Sequence, residues 1–397
     1  MYASSSIRES RSVLVALREA TLDALERLEG KPQIAIVFVS GEDCDSIAPQ
    51  LLEMVAAEIG RAPVIGGVVD SIIGIGKELE RQTAASVMLL GGMDGEPKVA
   101  SLECTQTPDG WSVLGIDEEL HGSAAACGGL LVIACPKTFS VDILNQSLET
   151  WRTEGDPIVP ILGGNLDRGS WKKETILFAG DRITQEGAVT IAMPSSVQWS
   201  TVVSQGCRPI GEPMVITEAR DGMIVGLGGR PALDRLRETF NELPNREREM
   251  AMRLLLLGRA ISEYSETFSH GEFLIRNITS VDRETKGIAV ADRVRVGQTV
   301  RFHLVDTQAA DADLRQLLKR AESQGLSPQA ACMFTCNGRG ERLFGEPHHD
   351  ASVLNHYFQE IPTIGFFASG EFGPVAGHNL VHGFTAVIGL LCDKVKG

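Results

Sequence analysis

One pattern recurs three times along this chain: a β-branched apolar strand, a polar loop, a helix, and a second strand that closes on glycine. Its first copy runs from Ile34-Ala35-Ile36-Val37-Phe38-Val39 through a helix near Ala48 to Ile59 and ends in Pro63-Val64-Ile65-Gly66-Gly67. A second begins at Leu130-Leu131-Val132-Ile133-Ala134, passes through a helix near Val141 to Trp151 and closes at Pro160-Ile161-Leu162-Gly163-Gly164-Asn165. The third spans Ala331 to Phe367, with Ala351 to Gln359 as its helix. Short apolar runs bounded by turn residues read as buried strands, and longer stretches with period 3.6 as helices. Hairpin-like strands lie between the copies, at Ala84 to Leu90, Lys98 to Leu102, Thr175 to Ala179 and Ala188 to Met193. The expected fold class is therefore α/β, with mixed sheets covered by helices. Glycines after each closing strand leave the backbone bare, either for packing or for the approach of a ligand.

At 397 residues and 43% hydrophobic content the chain is long enough for two cores. Leu14, Leu17, Leu25 and Leu28 fall at helical spacing, so residues 1–30 are expected to form an N-terminal amphipathic helix ending at Gly30. A break between Ser204 and Pro213 then divides the rest into domains 31–208 and 209–397. In the second, strands are expected at Met214 to Ala219, Met223 to Leu227, Phe273 to Ile278, Gly287 to Ala291 and Thr299 to Val305. Helices are expected from Pro231, from Arg246 to Glu263 and from Asp311 to Gln324.

The 37 Lys and Arg against 52 Asp and Glu give a net charge of -15, with no basic segment beside aromatics. That argues against nucleic-acid binding and against anionic membrane surfaces, and no apolar run is long enough to span a bilayer. No secretory signal is legible at the start, and the eight cysteines lack framework spacing, as expected of reduced thiols in cytoplasm.

No metal or cofactor is expected. Cys332 and Cys336 on one strand would stand about 13 Å apart. His378 and His382 have helical ligand spacing, yet Gly377 and Gly383 bracket them and strand-like residues follow. Capping and exposure account for His348, His349 and His356 beside Asp350. Gly74-Ile75-Gly76-Lys77 lacks the rest of a phosphate loop, and Gly226-Leu227-Gly228-Gly229 lacks the third dinucleotide glycine. The nucleophile elbow of serine hydrolases is missing too.

The strongest chemical candidate is the loop Cys336-Asn337-Gly338-Arg339-Gly340 at a strand end, where open α/β sheets commonly bind ligands. Gly338 and Gly340 permit positive φ, and Arg339 between them offers a fork for carboxylate or phosphate. Glu371, in the glycine-rich corner Gly370 to Gly373, supplies the opposite sign. Together the two match the carboxylate and ammonium of an α-amino acid; equally, they can neutralise each other. Asn379 and Thr385 can hydrogen-bond a ligand or decorate strands. Cys336 is either a pocket liner or a nucleophile with His382 or His378 as base.

Several tokens, in this order, resemble the FIST family: Phe334-Thr335-Cys336-Asn337-Gly338-Arg339-Gly340, Pro362-Thr363-Ile364-Gly365-Phe366-Phe367, Gly370-Glu371-Phe372-Gly373 and His382-Gly383-Phe384-Thr385. Val64-Ile65-Gly66-Gly67, Glu78-Leu79-Glu80, Gln205 to Gly211 and Arg230-Pro231-Ala232 echo its N-terminal half and junction. The chain departs from relatives at Gly67 and Gly228. The resemblance implies a two-part cytoplasmic sensory module that recognises a small metabolite such as an amino acid. Ligand-binding residues are then expected at Cys336, Asn337, Gly338, Arg339, Gly340, Glu371, Asn379, His382 and Thr385. It implies signalling through an unidentified protein partner rather than turnover. The alternatives are a cysteine-dependent enzyme using Cys336 on a small amide or acyl compound, and an interaction scaffold of the kind found in F-box relatives.

Overall fold

The computed structural model describes residues 1–108, 110–116, 127–152, 158–166, 168–169, 173–220, 222–263 and 271–394. These fall into two compact units. The first comprises Met1–Val203, Leu314–Val381 and the chain from Thr385 onward; the second comprises Ser204–Asp313 with His382–Phe384.

In chain order the first unit begins with β1 (Tyr2–Glu9), α1 (Val13–Arg27), β2 (Ile34–Ser40), α2 (Cys44–Ile59), β3 (Val64–Val68), β4 (Ser71–Gly74), β5 (Lys77–Glu80) and β6 (Ala84–Gly91). It continues with β7 (Lys98–Thr107), β8 (Gly110–Leu114), β9 (Cys127–Ala134), α3 (Val141–Trp151), β10 (Ile161–Leu166), β11 (Ile176–Ala179), β12 (Arg182–Thr184), β13 (Ala188–Pro194) and β14 (Val197–Gln205). The second unit holds β15 (Cys207–Arg220), β16 (Met223–Leu227), β17 (Arg230–Pro231), α4 (Ala232–Glu242), α5 (Asn245–Arg253), β18 (Leu255–Ala260), β19 (Phe273–Val281), β20 (Ile288–Val290) and β21 (Thr299–Val305). After α6 (Thr307–Ser323) come β22 (Ala330–Cys336), α7 (Glu341–Phe344), α8 (His349–Tyr357), β23 (Thr363–Val375), β24 (His378–His382) and β25 (Thr385–Asp393).

The three copies of the sequence pattern share one pairing scheme. In each, the two strands flanking the helix lie side by side and parallel: β2 with β3, β9 with β10, β22 with β23. A later strand returns antiparallel to the first of the pair: β6 on β2, β13 on β9, β25 on β22. Crossover through a helix is what allows adjacent strands to run parallel. The registers oppose Gly66 to Val37, Gly163 to Val132 and Gly365 to Met333. A Cβ at those glycines would stand 1.7, 1.8 and 1.7 Å from the partner's carbonyl oxygen. The closing strands therefore need glycine at this position, because any side chain would collide with backbone.

Segments inserted between the closing strand and the returning strand link the copies in a cycle. The β4–β5 hairpin of the first copy pairs with β23 of the third, and the β11–β12 hairpin of the second pairs with β3 of the first. Strand β23 of the third runs on to pair with β10 of the second, opposing Glu371 to Gly164. All three copies contribute to a shared apolar core that includes Phe38, Ile133, Phe334 and Phe366. The Phe38 and Phe366 rings meet at 4.8 Å and those of Phe334 and Phe366 at 5.2 Å. Burying each such ring is worth about 1.5–3 kcal/mol.

The second unit is a seven-stranded sheet in the order β15-β21-β18-β19-β20-β16-β17, closed by additional pairing of β15 with β16. Its core gathers Ile216, Ile224, Leu257 and Phe302.

Three expectations from the sequence change. Residues before the first helix form strand β1, which pairs with β6. Tyr2-Ala3-Ser4-Ser5-Ser6 lacks apolar alternation, and its hydroxyls find partners only in the fold: Ser4 Oγ donates to the Ala24 carbonyl at 2.6 Å, and Ser5 Oγ accepts the Thr363 amide at 2.9 Å. The helix expected from Arg246 to Glu263 stops at Arg253, and Leu255–Ala260 becomes β18 between β19 and β21. A leucine run carries no period of its own, so sheet pairing decides. Finally, the division of the chain at 208 and 209 is not the spatial partition, since Leu314 to Val381 folds with the first 203 residues.

Candidate functional site

Strand β22 delivers Cys336 to its C-terminal end. There the Asn337 amide donates to the Ala368 carbonyl at 2.9 Å and the Arg339 amide to the Cys336 carbonyl at 2.8 Å. The Gly338 amide points at the Cys336 sulfur, 3.5 Å away. Of the two loop glycines only Gly340 takes positive φ, at 65° with ψ of -153°. A Cβ there would lie 2.3 Å from Glu80 Oε1 and 2.8 Å from the Phe367 ring. That close approach lets Glu80 Oε1 accept the Glu341 amide at 2.7 Å.

Arg339 turns inward and is fully buried. Its Nε and Nη2 grip the two oxygens of Asp350, in the first turn of α8, at 2.7 and 2.8 Å. Burial disfavours the Asp350 carboxylate, but the Arg339 charge and hydrogen bonds, with help from His349, hold its pKa below the usual range. The His349 ring lies 3.0 Å from Asp350 through Nδ1 and stacks on Phe344 at 3.4 Å. The Arg339 guanidinium carbon sits 5.3 Å from the centre of the same Phe344 ring.

Two further carboxyl groups share this surrounding. Glu78, carried in by β5, accepts the Ala351 amide on Oε1 at 2.8 Å, and its own amide donates to His348 Nδ1 at 3.1 Å. Burial and the neighbouring Asp350 push its pKa up to about 8, against the Ala351 amide and Arg339. Glu371, on β23, is also wholly buried; its Oε2 accepts the Thr385 hydroxyl at 2.6 Å and the Thr385 amide at 3.3 Å. Burial drives its pKa up to about 8, although Thr385, Arg339 and the Cys336 thiol favour the charged form. One guanidinium thus faces three carboxyl groups, and Asp350 takes its fork. Glu78 Oε2, Glu371 Oε1, Arg339 Nη1 and Thr335 Oγ1 are buried with no partner of hydrogen-bond geometry among the described residues. Buried polar atoms of that kind cost roughly 1–3 kcal/mol each.

The structure brings Cys336, Arg339, Gly340, Glu371 and Thr385 together. Both sequence-level ideas about Arg339 change: its fork is not offered to a ligand carboxylate, and its ion-pair partner is Asp350 rather than Glu371. Neither Arg339 nor Glu371 reaches solvent. Asn379 serves elsewhere, donating to the Val159 carbonyl and accepting the Ile161 amide at 2.9 and 2.8 Å. His382 is buried at the end of β24 and falls in the second unit. Sequence reasoning missed Glu78, Glu80, Phe344 and the burial of Asp350. The one signal for the first two was the Glu78-Leu79-Glu80 alternation, and nothing in the sequence tied it to a loop 260 positions away.

Models of the FIST N domain and the FIST C domain match residues 33–230 and 232–374. Among curated proteins, the uncharacterized protein Rv0628c of Mycobacterium tuberculosis is 37% identical over 382 residues, covering 95% of this chain and 96% of that relative. The uncharacterized protein Mb0898c of Mycobacterium bovis is 34% identical over 385 residues, with 95% of each chain covered. Spanning both domain models and sharing their mixed α/β architecture, the chain belongs to the FIST family, which is linked to signal transduction.

Proposed function

We propose that this protein is a stand-alone sensory module that binds a small, amino-acid-like metabolite at the cluster around Arg339, Glu371 and Glu78, and signals through a partner protein in the cytoplasm. One observation carries the reading: Glu371 Oε1, Glu78 Oε2 and Arg339 Nη1 are buried polar atoms with hydrogen-bonding capacity left over. An ammonium group brings donors and a positive charge that favour the carboxylate forms of Glu78 and Glu371, whose pKa values burial otherwise raises to about 8. Arg339 Nη1 remains as a donor for an acceptor on the same molecule. The setting agrees with the rule that ligands of parallel strand pairs sit beyond the strands' C-terminal ends. Among the described residues no helix is long and apolar enough to cross a membrane.

The decisive experiment denatures freshly purified protein, identifies any released small molecule by mass spectrometry, and titrates free amino acids by thermal shift. An amino acid or close relative that stabilises the wild type but not Glu371→Gln supports the reading. No co-purified molecule, together with no shift from any amino acid, sinks it.

A further inference from the structure

We propose a second binding site, for a small oxyanion bearing a carboxylate or phosphoryl group, at the N-terminus of α2 and centred on Arg168. It lies at the place in the first copy that corresponds to the cluster in the third. In both places a segment inserted in one copy carries a charged side chain to the first turn of a helix in the copy it pairs with. Glu78 reaches the first turn of α8 from the first copy. The segment before β11, in the second copy, likewise carries Arg168 to the first turn of α2.

Arg168 is 4% exposed. Its Nη1 donates to Asp45 in the first turn of α2 and to the Glu174 carbonyl at 2.8 Å. Its Nε and Nη2 are buried and have no hydrogen-bond partner among the described residues. These two nitrogens form the edge of a guanidinium that receives two oxygens of one anion side by side. The chain uses the same edge at Arg339, where Nε and Nη2 hold both oxygens of Asp350. An acid is built in there; at Arg168 the equivalent edge is left for a molecule from outside.

The surroundings suit an anion. Helix α2 has 16 residues, so its N-terminus carries a useful partial positive charge, and Asp43 at the cap position makes no side-chain capping bond. Lys173 lies 3.5 Å from Asp45 and donates to the Glu42 carbonyl. Nearby acids are partly spent: Asp45 on Arg168 and Lys173, and Glu174 on Lys137 at 3.5 Å. Glu42 and Asp43 point to solvent.

The test titrates the full-length protein with inorganic phosphate and, separately, with acetate, at constant ionic strength, reading thermal shift and calorimetry. Saturable binding of either probe to the wild type should weaken by about tenfold or more in Arg168→Lys, which keeps the charge but loses the fork. A response to phosphate alone assigns a phosphoryl group, and to acetate alone a carboxylate. Equal binding by wild type and Arg168→Lys, or no binding of either probe, overturns the proposal. Should the variant fail to fold, a crystal structure of the wild type grown with the probe decides: anion oxygens on Nε and Nη2 support the site, and water alone there refutes it. Glu371→Gln leaves this response intact, so the two sites fail independently.

Discussion

Glu78 accepts the backbone amide of Ala351 across 273 positions of sequence, capping α8 from a hairpin that belongs to another copy of the repeat. A helix N-terminus favours negative charge, yet this carboxyl group is buried beside Asp350 and keeps its proton to about pH 8. The cap therefore couples the helix carrying Asp350 to the protonation of the cluster.

Stability should depend on pH in two opposed ways. Glu78 and Glu371 have folded pKa values raised from 4.5 to about 8, so the native state holds protons that the unfolded chain has released. Their contribution is fully present below about pH 4.5 and is lost as pH rises toward 8, by up to about 1.4 kcal/mol per pH unit for each group. Asp350 is depressed below 3.8, so its contribution is present above that value and disappears as pH falls further. Urea unfolding of the wild type and Glu371→Gln between pH 4 and 9 checks this, and the variant should show the shallower decline; equal slopes would contradict the assignment.

Breaking the Arg339–Asp350 pair from either side should be severe. Arg339→Ala or Asp350→Ala strands a charge at zero exposure, at a cost of about 3–5 kcal/mol. Joint removal should cost less than the two single changes added together, giving a coupling energy in a double-mutant cycle by denaturant unfolding. Additive losses would show that the two side chains do not act as a pair.

The glycines that cap the two ends of α7 should respond unequally. Gly340→Ala meets both a strained backbone and the Glu80 and Phe367 side chains, and is expected to cost about 1–3 kcal/mol from strain, with the collision added. Gly345 also has positive φ, at 75°, but open space around it, so Gly345→Ala should lose only about 1–2 kcal/mol. Chemical denaturation ranks the pair, and a reversed order would mean the loop can shift away from Glu80.

The three repeat glycines should behave alike. Alanine at Gly66, Gly163 or Gly365 places a methyl against a carbonyl oxygen of the adjacent strand, and each change is expected to cost at least about 4 kcal/mol or to abolish soluble expression. Gly60→Ala, which meets nothing within 4 Å but is strained at φ 76°, isolates the backbone cost and should lose only about 1–3 kcal/mol. A well-folded Gly163→Ala would show that the copies do not share one close-packed scheme.

Sequence periodicity alone was enough to mark the three strand-helix-strand copies, the mixed α/β class and the C-terminal loop of Cys336 to Gly340, because apolar runs, glycine stops and helical spacing are local signals. It did not show β1, whose serines resemble a loop until β6 pairs with them, nor where α5 ends, since Leu254 to Leu257 suits either period. Tertiary structure alone decided that Arg339 pairs with Asp350, that Glu371 leans on Thr385, and that Glu78 joins them. Ion pairing and burial depend on which strands lie side by side, and the cyclic exchange of hairpins sets that at separations of hundreds of residues. Residue identity supplied the charges; long-range pairing decided which of them would lose their water.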